Sequence, residues 1–261
     1  MILTTRLQPF LEHWRAGQKL VVLTAYNVWQ SELVEDSGAD MILVGDSLGN
    51  VEQGRGSTSG VTLEHMMYHT RMAARGRKII PIVADLPLHS YDSPGDAVES
   101  SKLLVSCGAD AVKFEGNPKG IAKAILEAGI PVMGHLGLLP QTAESFQVRG
   151  KQDTEAKAID SDARELAKAG CFSLILECVP LRLGESVTQG LGIPTIGIGA
   201  GPHTSGQVLV FHDLLHLNSH RKAKFVPDRF AAIGEAIKGA LGDFGREVRS
   251  GVYPSDKESY H

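Results

Sequence analysis

Asp46, Asp85, Lys113, Glu115, His135 and Glu177 are the side chains of this chain most able to do chemistry together, because each closes a short apolar run. Met41-Ile-Leu-Val44 passes through Gly45 into Asp46 and Ser47, and Ile79 to Ala84, interrupted by Pro81, ends in Asp85. Ala111-Val112 leads to Lys113 and Glu115, Val132-Met133 to His135, and Leu174-Ile-Leu176 to Glu177. Two aspartates at the ends of neighbouring strands supply hard oxygen ligands with room for waters and a chelating substrate, which suits Mg2+. The competing reading is that each caps the following helix. Lys113 and Glu115 flank Phe114, so strand alternation gives the lysine and glutamate a common face. An amine just inside a barrel rim needs a carboxylate, either a substrate's or that of Glu115 in a structural ion pair. His135 is either a satisfied structural histidine or a member of the same rim. Glu177, set among apolar residues, should have a raised pKa, as a general base for a weakly acidic C–H requires.

Bringing these residues to one place requires a parallel barrel, whose chemistry gathers where the strands end at its C-terminal face. The expected strands are 20–25, 41–44, 79–84, 111–114, 131–134, 173–176, 195–198 and 208–211. Helices are expected over 28–37, from Thr62 as N-cap, from Ser93-Pro94, and over 118–127, 160–169 and 183–189. Residues 49–60 and 136–157 read as long loops, the kind that usually carry function. Residues 1–18 suit a short helix closing one end of the barrel, and an amphipathic helix is expected over 230–248 with one face buried. The fold expectation is a single-domain α/β protein spanning 1–261, a (β/α)8 TIM barrel with an N-terminal helical segment.

Other patterns carry less. Gly197-Ile-Gly199-Ala-Gly201 has the look of a barrel phosphate loop, but a tight turn explains bare glycines as well. His212, His216 and His220 recur at helical spacing without accompanying carboxylates and read as a solvated face. Glu64-His65 with His69 does not form the H-E-x-x-H pattern of zinc peptidases. Cys178 adjoins Glu177, but strand alternation turns it away, so it reads as packing.

The net charge of −4 and pI near 6.2 offer nothing for nucleic acid to bind. Cys107, Cys171 and Cys178 have no C-x-x-C spacing and read as reduced thiols. The start of the chain lacks a signal-peptide apolar run, and no stretch approaches the ~20 apolar residues of a membrane span. A cytoplasmic protein acting on small molecules, without nucleic-acid or membrane partners, is the expectation.

Several segments in chain order carry a resemblance: Leu23-Thr-Ala-Tyr26, Leu43-Val-Gly-Asp-Ser-Leu-Gly49, Ala84-Asp-Leu-Pro87, Val112-Lys-Phe-Glu-Gly116, Gly134-His-Leu-Gly-Leu138 with Pro140-Gln141, Leu176-Glu-Cys-Val-Pro180, Ile196-Gly-Ile-Gly-Ala-Gly201, His212-Asp213 and Ser250-Gly-Val-Tyr-Pro254. Together they resemble the ketopantoate hydroxymethyltransferase (3-methyl-2-oxobutanoate hydroxymethyltransferase) family. The resemblance implies Mg2+-dependent transfer of a hydroxymethyl group from 5,10-methylenetetrahydrofolate to 3-methyl-2-oxobutanoate, giving 2-dehydropantoate (ketopantoate) for pantothenate and coenzyme A synthesis. It implies Asp46 and Asp85 as metal ligands with Glu115 completing the site. It also implies Ser47 and Lys113 as holders of the oxo acid and Glu177 as the base; from their places on the same rim, Asp46, Asp85 and His135 are expected to contact the substrate as well. A homodecamer is implied too. Asn27 stands where the family usually has Asp, and the segment after Phe146 is short.

Two rivals remain from the residues alone. One is a Mg2+-dependent C–C or P–C lyase on the same kind of barrel, acting on 2-oxo acids. The other is a catalytically silent barrel serving as a scaffold, against which the full set of ionisable residues argues.

Overall fold

The computed structural model describes residues 5–217, 223–228, 230 and 233–261. Its strands are β1 (Leu20–Thr24), β2 (Met41–Val44), β3 (Ile82–Asp85), β4 (Ala111–Glu115), β5 (Val132–Gly137), β6 (Ser173–Glu177), β7 (Thr195–Ile198) and β8 (Gly206–Leu209). Each pairs in parallel with the next, and β8 returns to β1, closing the barrel. The barrel lies within one compact unit, Met1–Val210; Phe211–His261 forms a second. The expected (β/α)8 barrel is therefore what the chain builds.

Around the strands run α1 (Leu7–Arg15), α2 (Val28–Asp36), the short α3 (Leu48–Val51), α4 (Leu63–Gly76), α5 (Pro94–Ser106), α6 (Ile121–Glu127), α7 (Asp153–Ala169) and α8 (Leu181–Gly190). The second unit holds the short α9 (Phe211–Leu214) and α10 (Ile233–Ser250). Sequence chemistry sets the helix starts. Asn27 caps α2 by accepting from the Gln30 N–H at 3.0 Å, so the amide does what an aspartate would do there. Thr62 and His65 cap each other at the head of α4, and Ser93 with Pro94 opens α5.

The interior explains the placement of the site. Leu20, Val22, Met41, Leu43, Val83, Ala111, Met133, Ile175, Ile196 and Val208 fill the barrel in one buried cluster. Leu7, Phe10 and Leu11 of α1 join that cluster from the N-terminal end, Phe10 meeting Phe172 edge-on at 6.2 Å between ring centroids. The expected closing helix is thus present. Because strand side chains alternate with period two, the residues two places beyond the cluster share its inward face. Val83 is followed in this way by Asp85, Ala111 by Lys113 and then Glu115, Met133 by His135, and Ile175 by Glu177.

Some boundaries differ from expectation. β3 begins at Ile82, not Ile79: Pro81 has no N–H to give the ladder, and Ile79 is exposed. β8 lies at 206–209 because Gly206 fits where any Cβ would stand 2.4 Å from the Leu20 carbonyl oxygen. Helix α7 starts at Asp153, well inside the expected loop, with Asp153 and Glu155 favourably placed in its first turn. The 49–60 segment contains α3 and a 3-10 turn at Thr58–Gly60. Helix α10 has no buried residue, and Ile237, Leu241, Phe244 and Val248 are exposed.

Candidate active site

The strand ends bring the expected residues to one rim. Asp46, Asp85, Lys113, Glu115 and His135 are buried, and Glu177 is close to it. Asp46 sits just past β2, where the chain turns at Gly45. A Cβ on Gly45 would stand 2.8 Å from Ser47 Oγ, so the turn tolerates no larger residue without displacing that hydroxyl. The Asp46 N–H donates to Asp85 Oδ2 at 3.0 Å, tying the two strand ends together. Ser47 Oγ meets the Tyr26 hydroxyl at 2.8 Å.

Lys113 is the cation at the centre. Its Nζ lies 3.1 Å from Asp85 Oδ1 and 3.1 Å from His135 Nδ1. The approach to Asp85 Oδ1 is a close, buried ion pair. On its other side His135 Nε2 faces Glu177 Oε2 at 3.2 Å, without a hydrogen bond. Glu115 Oε1 is 3.7 Å from His135 Nδ1, while Glu115 Oε2 accepts from the Gln141 N–H at 3.1 Å.

Burial dominates the electrostatics. It pushes the Glu177 carboxyl up to about 7, with Lys113 pulling in the opposite sense. Burial, with repulsion from Asp85, also raises Asp46, and burial with repulsion from Asp46 and Asp85 raises Glu115 against the pull of Lys113. Burial alone would lower the Lys113 ammonium, but Asp85, Glu115 and Asp46 outweigh it and hold the group charged. Burial and the adjacent Lys113 keep the His135 imidazole well below its ordinary range, hence neutral.

Four carboxyl groups therefore crowd around one ammonium and resist ionising together, a cost that a divalent cation would relieve. Among the described residues, no group of three or more His, Cys, Asp or Glu side chains could hold a metal by itself. Mg2+ does not need one, since it ordinarily takes one or two carboxylates and completes its shell with water and substrate oxygens. Asp46 and Asp85, tied to each other at neighbouring strand ends, fit that pattern. Glu115 reaches the same rim, its Oε2 accepting from the Gln141 N–H and its Oε1 standing 3.7 Å from His135 Nδ1.

Other expectations fare differently. Cys178 leaves the strand with φ +48° and is half-buried, so its orientation follows from a left-handed turn, not from alternation. Gly199 and Gly201 have φ of +66° and +83°, a tight turn as expected. His212 is buried and His216 half-buried, contrary to a solvated stripe; His220 lies outside the described residues. His65 is a capping residue, and His69 Nδ1 lies 2.8 Å from the Tyr26 carbonyl oxygen.

Three residues without an assigned role from sequence also belong here: Tyr26, Tyr91 and Gln141. Tyr26 positions Ser47, and the Tyr91 hydroxyl donates to Gln141 Oε1 at 2.5 Å. Tyr26 and Gln141 lie in segments that carry the resemblance, but only the fold shows what the three touch, since each reaches the rim from a connection and not from a strand.

Comparison with known proteins decides the family. The family model described as ketopantoate hydroxymethyltransferase matches residues 4–256. The chain belongs to the ketopantoate hydroxymethyltransferase family. The 3-methyl-2-oxobutanoate hydroxymethyltransferase of Moorella thermoacetica is 45% identical over 251 residues, covering 94% of this chain and 93% of the relative. That of Ignicoccus hospitalis is 43% identical over 259 residues, covering 96% and 97%. As a ketopantoate hydroxymethyltransferase family member the chain is an enzyme, a hydroxymethyltransferase. Among solved structures, a phosphonopyruvate hydrolase in complex with oxalate and Mg2+ matches with TM-score 0.63 at 13% identity, covering 99% of this chain and 92% of that one. A 2,3-dimethylmalate lyase of the PEP mutase/isocitrate lyase superfamily matches with TM-score 0.64 at 15% identity, covering 98% and 89%. At such identities the likeness is one of fold.

Proposed function

We propose that this enzyme transfers a hydroxymethyl group from 5,10-methylenetetrahydrofolate to 3-methyl-2-oxobutanoate in a Mg2+-dependent, aldol-type reaction that gives 2-dehydropantoate. The observation that carries the reading is the largely buried Glu177 carboxyl, pushed up to about 7, on the same inward face as Lys113 and beside the Asp46–Asp85 pair. A base of that strength suits a C–H beside a 2-oxo group.

The chain's own residues divide the work. Lys113, held charged, receives the substrate carboxylate. Ser47, fixed by Tyr26, hydrogen-bonds the oxo acid. Glu177 takes the proton from C3, and the electron pair left there forms the new C–C bond to the one-carbon unit. The C–N bonds that held this carbon to the folate break, water supplies the hydroxyl oxygen, and tetrahydrofolate leaves. Asp46 and Asp85, with Glu115 nearby, would hold Mg2+, which stabilises negative charge on the substrate's 2-oxo oxygen. His135, neutral and with Nε2 3.2 Å from Glu177 Oε2, stands between Lys113 and the base and would lie against the substrate.

The reading includes a homo-oligomer, a homodecamer by the resemblance, and a cytoplasmic location. The exposed apolar residues of α10 support association with further copies. No helix among the described residues is long and apolar enough to cross a membrane.

The decisive assay is ketopantoate formation with each of Mg2+ and methylenetetrahydrofolate omitted in turn. Loss of product in both omissions supports the reading. Turnover of a 2-oxo acid independent of the folate would instead favour a C–C or P–C lyase.

A further inference from the structure

Gln141 lies in the connection after β5, yet it is 3% exposed, and its side-chain amide and backbone N–H are engaged at the rim. Its side-chain Nε2 donates to Asp46 Oδ2 at 2.7 Å and to the Leu86 carbonyl oxygen at 2.9 Å. Its Oε1 accepts from the Tyr91 hydroxyl at 2.5 Å, and its backbone N–H donates to Glu115 Oε2 at 3.1 Å. The orientation of the amide is settled by chemistry. A carbonyl oxygen can only accept, so the nitrogen must face Leu86, which leaves Oε1 for the tyrosine.

One residue thus holds two carboxylates that come from different strand ends, and it is itself held by a third connection. The amide occupies one oxygen of Asp46 and fixes the plane of that carboxylate, so the other oxygen is the one left for a cation. Tyr91, packed on Phe114 at 5.9 Å between ring centroids, fixes the amide in turn. A satisfied buried network of this kind specifies a geometry; losing one donor would leave Asp46 free to rotate.

We infer that Gln141 is a positioning residue of this enzyme: through Nε2 and its backbone N–H it aligns Asp46 and Glu115 for a divalent cation. The inference rests on the metal-dependent reading above and extends it to a residue that does not itself touch the cation. A substitution at Gln141 therefore acts on cation affinity first and on turnover only through it.

Gln141→Met keeps the chain length and removes both side-chain donors. Isothermal titration of MgCl2 into the full-length enzyme should show affinity about tenfold weaker than wild type, since hydrogen bonds to charged groups are among the stronger ones. Exchange of the C3 hydrogen of 3-methyl-2-oxobutanoate into D2O should fall at low Mg2+ and recover at saturating Mg2+. Tyr91→Phe keeps the Gln141 donors and should weaken Mg2+ binding by only about twofold. Should Gln141→Met not fold, Gln141→Asn decides the matter: it retains the amide but is one methylene too short to span Asp46 and Leu86, so it too should bind Mg2+ less tightly. Wild-type affinity in these Gln141 variants would overturn the inference, as would an exchange defect that saturating Mg2+ does not restore, the mark of a merely structural role. A wild-type enzyme that takes up no Mg2+ would overturn the metal-dependent reading and this role together.

Discussion

Lys113 Nζ and His135 Nδ1 stand 3.1 Å apart on the floor of the site. An ammonium can only donate, so Nδ1 is the acceptor and the neutral imidazole carries its proton on Nε2. That nitrogen lies 3.2 Å from Glu177 Oε2. The three residues sit on β4, β5 and β6 and form one chain from cation to base. With its Nε2 already protonated, His135 cannot accept a proton at that atom, which fits the proposal that Glu177 is the base.

Glu177→Gln preserves size but cannot accept a proton. We expect kcat to fall by ~10²-fold or more while 3-methyl-2-oxobutanoate still binds. The direct measurement is C3–H exchange into D2O with Mg2+ and no folate, followed by NMR. The variant should show none, and exchange at the wild-type rate would assign the base elsewhere.

The pH dependence follows from the same carboxylate. As the proposed base Glu177 would work only when ionised, and burial moves its pKa from 4.5 to about 7. The exchange rate should therefore climb as pH rises through about 7 at limiting Mg2+ and be low at pH 5. A bound cation favours the ionised form, so saturating Mg2+ should shift this acid limb to lower pH. A limb fixed near 4.5 in both conditions would mean that the base is not desolvated.

Asp46 and Asp85 should differ as ligands. Asp85 Oδ2 accepts from the Asp46 N–H, and its Oδ1 faces the Lys113 ammonium. Both neighbours are donors, so the amide of Asp85→Asn can satisfy only one of them and leaves the other opposed. Asp46→Asn keeps an oxygen for Gln141 Nε2. We expect both variants to lose several-fold in Mg2+ affinity, with Asp85→Asn the more impaired and the less stable. Titration calorimetry and thermal unfolding of the same preparations measure the two effects, and equal, wild-type affinities would remove the aspartates from the metal site.

How much of this was legible follows from where each residue sits. Asp85, Lys113, Glu115, His135 and Glu177 lie on strands, where period-two alternation carries an apolar run directly into an inward rim position. Asp46 was legible because Gly45 ends an apolar run. Gln141, Tyr26 and Tyr91 reach the rim from connections, whose geometry no periodicity encodes. The β3 start was misplaced because Ile79 and Ile80 look like strand, although Pro81 ends the ladder. The early turns of α7 were hidden by their polarity, even though Asp153 and Glu155 are the residues a helix N-terminus favours. His212 illustrates the converse: spacing alone suggested solvent, and the fold buries it.

Lys113 should be the residue whose loss has the widest consequences. Among the described residues it is the cation whose pull lowers the pKa of Glu177, Asp46 and Glu115. Lys113→Met removes that pull, so the carboxylates move further above their unfolded values. The sign follows directly. A carboxyl with a raised folded pKa favours the folded state while it is protonated, and that advantage is lost as pH rises from the unfolded pKa through the folded one. The metal-free variant should therefore lie closest to wild type in thermal stability near pH 5 and fall further behind at pH 8, where unpaired buried carboxylates must ionise. The acid limb of exchange should move above that of wild type, and binding of 3-methyl-2-oxobutanoate should weaken because its carboxylate has lost its partner. Thermal unfolding across pH 5–8 and substrate titration test the two halves separately. A stability deficit independent of pH would show that the lysine's charge is not what balances the site.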